Sequence, residues 1–118
     1  MITKEKVAVC KLLMDLAAVD GRPNDEELMY IFQLGNKLSI SQMEWLQLKT
    51  ITDLEVVTAL RTLDDSTKLQ LPFMMYHLIN SDSPATSQEI SYFETIMRAI
   101  GRPLTYASFH AIAKNSNS

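Results

Sequence analysis

Apolar residues recur three and four positions apart along nearly the whole chain, the spacing that lines one face of an α-helix. Between about Lys4 and Val19, such a face is formed by Val7, Cys10, Leu13, Met14 and Ala17. Val9, Leu12, Leu16 and Ala18 broaden it until little polar surface is left. A helix apolar nearly all round belongs at the centre of its fold. Asp20-Gly21 ends it, because glycine adopts the left-handed conformation at low cost beyond a helix end.

The pattern continues in shorter units. A second helix opens at Asn24, where Asn24 and Glu27 form a capping box, and Leu28, Ile31, Phe32, Gly35 and Leu38 mark its buried stripe. Ser41 with Glu44 opens a short third helix carrying Met43, Trp45, Leu46 and Leu48. Thr52 or Asp53 starts a fourth, with Leu54, Val57 and Leu60 expected inward. A fifth covers about Ser66 to Asn80. Pro72 inside it predicts a kink or a true start near that residue. Phe73, Met74, Met75, Leu78 and Ile79 make it apolar nearly all round, so it too is expected to be central. Thr86 with Glu89 opens a sixth helix, striped by Ile90, Phe93, Ile96, Met97 and Ile100 and ended by Gly101 and Pro103. A seventh runs from about Leu104 to Ala113, and the tail after it is expected to fray. The predicted fold is therefore all-α.

The helices repeat. A shift of 62 residues sets Asp20 on Asp82, Glu27 on Glu89 and Tyr30 on Tyr92. It also matches apolar positions, such as Leu13 with Met75, Leu16 with Leu78 and Leu38 with Ile100. The unit is a long buried helix, a short acidic loop and an amphipathic helix, occupying residues 5–40 and again 67–102. Two such units are expected to pack about a pseudo-twofold axis within one domain spanning 1–118.

Composition narrows the function classes. The formal net charge is -3 and the basic residues form no run, so the electrostatic footprint of a nucleic-acid binder is missing. Cys10 is the only cysteine, which excludes an intramolecular disulfide and a cysteine-based zinc site within one chain. Lys11 and Asp15 interrupt what would be a signal-peptide core, and no window approaches the length of a transmembrane helix.

Leu16-Ala17-Ala18-Val19-Asp20-Gly21, then Glu26-Glu27-Leu28, then Leu38-Ser39-Ile40-Ser41 resembles the pattern of the TerB-like (tellurite-resistance) domain family. Asp82 and Glu89 correspond to the degenerate second copy such domains carry. Ser83 and Ser39 stand where that pattern has glycine. The resemblance implies an all-helical fold of about seven helices. It also implies a cytoplasmic, bacterial setting linked to tellurite resistance or membrane-associated stress, and a metal-chelating role for acidic residues.

Asp20, Glu27, Asp82 and Glu89 are the candidate metal ligands, since Ca2+, Mg2+ and Mn2+ prefer carboxylate oxygen. The competing role is structural and is the weightier one. Glu27 and Glu89 sit at the third position of capping boxes, and aspartate is common in loops. His77 reads as a satisfied, partly buried histidine, and Cys10 as a core residue. No nucleophile elbow, phosphate loop or metalloprotease motif is present. Met74, Met75, Tyr76 and Trp45 are candidates for an apolar groove that accepts a protein partner. The expected function is a non-enzymatic binding or scaffolding module, metal-responsive if the carboxylates bind an ion. The alternative is a structural or homo-oligomerising adaptor.

Overall fold

The computed structural model describes residues 1–81 and 84–116. Among them are seven helices and no strand: α1 (Thr3–Ala17), α2 (Asp25–Lys37), α3 (Gln42–Gln47), α4 (Asp53–Arg61), α5 (Asp65–Ile79), α6 (Ser87–Ala99) and α7 (Tyr106–Ser116). α7 continues past Ala113 to Ser116, so Asn115 and Ser116 are helical where fraying was expected; residues 117–118 lie outside the described range.

Helix starts are set by local side-chain chemistry. At α2, α3, α4 and α6, the capping residues Asn24, Ser41, Thr52 and Thr86 accept a backbone N–H from the glutamate three residues on. That glutamate accepts the cap residue's own N–H in return. Two of the donors that every helix start leaves unpaired are thereby satisfied. α1 has half of this device. The Ile2 N–H donates to Glu5 Oε1 at 3.1 Å, but Ile2 has no side-chain acceptor. α5 starts at Asp65 because Asp64 accepts the Thr67 N–H at 2.7 Å. A start at Pro72 is therefore overturned. Pro72 lies buried within the helix, where its ring removes one donor to the Lys68 carbonyl.

α1 occupies the centre. It packs against α2, α3, α4, α5 and α6, and Val7, Ala8, Val9, Cys10, Leu12, Leu13 and Leu16 are essentially inaccessible to solvent. α4 lies along it with Val56, Ala59, Leu60 and Leu63 turned inward. That face replaces the one expected from Leu54 and Val57: Leu54 is 76% exposed and Val57 is half-buried. Both stripes have helical spacing and share Leu60. Thr62, just after α4, donates through its hydroxyl to Glu5 Oε2 at 2.7 Å and ties the two helices at one end.

The end of α2 is shaped by two residues. Gly35 is buried beneath the Trp45 indole, which occupies the space a Cβ would need. Trp45 also meets Phe32 edge-on, with centroids 5.4 Å apart, and Phe32 itself is half exposed rather than buried. Ser39 then takes a left-handed φ of 59°, and the Ile40 N–H reaches back to the Gly35 carbonyl at 2.9 Å. Gly101 does the same after α6, with φ 79° and Arg102 N–H on the Met97 carbonyl at 2.9 Å. Both are glycine-type helix terminators; the serine bears a strain of roughly 1 kcal/mol that the glycine avoids.

The position of α1 has a measurable consequence. Leu13→Ala removes a fully buried side chain from the centre and is expected to cost about 3 kcal/mol in denaturant unfolding. Leu54→Ala, on the outside of α4, is expected to stay within about 0.5 kcal/mol of wild type. Equal costs would contradict the observed rotation of α4.

Candidate functional site

α2 and α5 leave an open groove of about 800 Å³ between them. α2 contributes Glu26, Met29, Tyr30 and Gln33, and α5 contributes Gln70, Phe73, Met74 and His77, with Tyr76 beside them. Each set has i, i+3, i+4, i+7 spacing, so each is one continuous helix face about two turns long. Asn80 and Ser81 continue the α5 side, and Ala113 of α7 also borders the groove.

Aromatic stacking fixes the walls. Tyr30 and His77 face each other across the groove with ring centroids 4.5 Å apart and planes 29° from parallel. Burial raises the Tyr30 phenol above its usual range. Phe73 sets its ring edge-on to Phe109 of α7 at 4.8 Å. The Tyr76 hydroxyl hydrogen-bonds His110 Nδ1 at 2.7 Å. Asn80 Nδ2 donates to the Tyr76 carbonyl and the Tyr106 hydroxyl, both at 2.9 Å. α7 is thus clamped onto α5 by rings and an amide.

Two large apolar side chains are exposed at the groove. Met29 is 61% exposed and Phe73 52%. His77 is exposed as well, which corrects the expectation of a partly buried histidine. The sequence-predicted groove is only half right. Met74 and Tyr76 line it, but Met75 is fully buried in the core and Trp45 packs on Gly35. The α2 wall was missed. Its signal is a second face, at positions 26, 29, 30 and 33, beside the stripe that holds Ile31 and Gly35.

The four predicted metal ligands have different fates. Asp20 is exposed in the loop after α1. Asp82 lies outside the described residues. Glu27 and Glu89 are 7% and 5% exposed, and each commits Oε1 to a backbone N–H, of Asn24 at 3.0 Å and of Thr86 at 2.9 Å. Glu44 and Glu55 make the same bond where no acidic partner from the repeat is involved. Among the described residues no three of His, Cys, Asp or Glu gather into a cation site.

Cys10 is a core residue, as expected. Burial, and next to it the Glu44 carboxylate, push its thiol up to about 11. A thiol held neutral in this way is a poor nucleophile. The groove can therefore bury apolar surface, stack rings and exchange hydrogen bonds, and it holds one lining carboxylate, Glu26.

Among the described residues, no helix is long and apolar enough to cross a membrane. No family model, curated protein or solved structure matches the chain.

Two outcomes are expected. The first concerns pH. The Cys10 thiol is raised from 9.0 to about 11, so its contribution is complete below pH 9 and is lost as pH rises toward 11. Tyr30, Tyr92 and Tyr106 are raised by burial in the same direction. Glu44, Glu55 and Asp64 are lowered by cap hydrogen bonds, so their contribution is lost as pH falls through and below their ordinary values of 4.5 and 3.8. The urea midpoint should fall on both sides, and a midpoint still rising between pH 9 and 11 would contradict this. The second concerns ions. With the glutamates acting as caps, Glu89→Gln should cost under about 1 kcal/mol. Millimolar Ca2+, Mg2+ or Mn2+ should leave the melting temperature unchanged. A wild-type rise that disappears in Asp82→Asn and Glu89→Gln would establish an ion site instead.

Proposed function

We propose that the chain is a non-enzymatic binding module of TerB-like architecture, and that it holds a protein partner in the groove between α2 and α5. The observation that carries the reading is the groove itself, with Met29 and Phe73 more than half exposed on facing helices. Contiguous apolar surface rimmed by polar groups marks interaction sites, and methionine side chains adapt to varied partners. The groove's polar groups are amides, an imidazole, two phenols, a serine hydroxyl and one carboxylate.

The TerB-like part of the reading draws on the two-unit pattern. A shift of 62 residues carries Thr3–Ala17 onto Asp65–Ile79 and Asp25–Lys37 onto Ser87–Ala99 at both ends. The same shift carries the left-handed Ser39 onto the left-handed Gly101. This agreement of helix limits, caps and terminators supports two copies of one unit related by a pseudo-twofold axis. The cytoplasmic, bacterial and stress-linked setting rests on the family resemblance alone. Divalent-metal responsiveness has the weaker support, because the caps already use Glu27 and Glu89.

Selection of a random peptide library on the immobilised chain tests the reading. Binders are expected whose affinity drops about tenfold with Met29→Gln, a loss of about 1.4 kcal/mol. Binders indifferent to Met29 and Phe73, or no binders, would move the function elsewhere. Self-association in sedimentation, lost with the same substitution, would favour the oligomerising adaptor.

A further inference from the structure

Resting on that reading, we infer that the occupant of the α2–α5 groove is a short amphipathic helix with basic residues flanking its apolar stripe. Shape comes first. Each wall is a helix face two turns long, and the Tyr30–His77 stack joins the two walls, so an occupant lies over that stack rather than between separated helices. A partner strand would need an exposed sheet edge to pair with, and the described residues contain no strand. A helix satisfies its backbone internally and presents side chains at the same i, i+3, i+4, i+7 spacing as the walls.

Chemistry then fixes the stripe and its flanks. Met29, Phe73 and Met74 offer an adaptable apolar surface for two or three large side chains. Gln33, Gln70 and Asn80 are neutral groups able to meet a polar edge. Glu26 is the one carboxylate in the lining, which contains no lysine or arginine. The first turn of α2 carries the exposed Asp25 and Glu26, Glu27 being buried in its capping box, and two exposed carboxylates outweigh the roughly half positive charge of a helix N-terminus. A lysine or arginine beside the partner's stripe would gain from this field, and a glutamate there would be repelled.

The test uses the full chain and three synthetic peptides of about 14 residues, long enough for isolated helices to begin to form. One has a Leu/Phe stripe flanked by lysines, one the same stripe flanked by glutamates, and one the lysine peptide's composition in scrambled order. Fluorescence anisotropy reads affinity at low salt. The lysine-flanked peptide should bind about tenfold tighter than either of the others, less so as salt screens the charges. Met29→Gln should weaken it about tenfold, and Glu26→Lys should reverse the preference between lysine and glutamate flanks. Both residues are exposed, and circular dichroism verifies that the variants keep their helices.

Tighter, Met29-dependent binding of the glutamate-flanked peptide would overturn the basic-helix inference and leave the groove as a binding site. Equal binding of the scrambled peptide would reduce the effect to charge alone and overturn it too. If none of the peptides binds, the inference fails, while the library selection decides separately whether the groove binds anything. Met29-dependent self-association without peptide would make a second copy of the chain the occupant.

Discussion

The burial of α1 on nearly every side is the constraint from which the rest of the architecture follows. Apart from its first turn and a narrow strip with Lys4, Lys11 and Asp15, its residues are apolar, so the other helices must surround it. Five do so. At α4, Ala59 and Val56 displace Leu54 from the inside. A centre of this kind is costly to perturb: fully buried leucines each contribute several kcal/mol, against a net stability of roughly 5–15 kcal/mol for a whole domain.

α5 is similar to α1 in length and apolar content but has a different position. Leu71, Met75, Leu78 and Ile79 reach the core, while Leu69, Phe73 and His77 remain exposed. α7 covers part of this outer side, through Phe109 on Phe73 and Tyr106 on Tyr76. The remainder faces α2 across the groove. The open surface is thus the leftover of a helix apolar on more faces than the fold can cover. Rigid helices with capped starts form its walls, a better platform for recognition than loops.

The amount legible in the sequence varied with the physics. Helix number, order and most starts were readable because caps and periodicity are local. The central place of α1 is legible in its composition, but the same sign at α5 marks a helix that the fold covers on one side only. Which of two apolar faces a helix buries was not readable at α4 or α5, because that choice depends on partner shape. Trp45 was assigned to a groove, since its docking on Gly35 is a tertiary contact with no local signature. The acidic residues drew attention through their repetition, yet Glu27 and Glu89 perform the capping their positions imply. Tyr30 and Met29 carry no local sign of the groove, because their face of α2 borders it only once α5 stands opposite.

The central claim is that folding leaves the α2–α5 groove open while burying the neighbouring apolar side chains completely. The seven methionines report on this directly, since they range from fully buried to strongly exposed. With methyl-labelled methionine and a soluble nitroxide, NMR signal loss measures the access of each to solvent. Met29 should be attenuated strongly, like the outward Met43, while Met75 and Met97 should be protected and Met74 intermediate. A Met29 methyl as protected as Met75 would mean that the groove is closed in solution, and the account of this surface would fail.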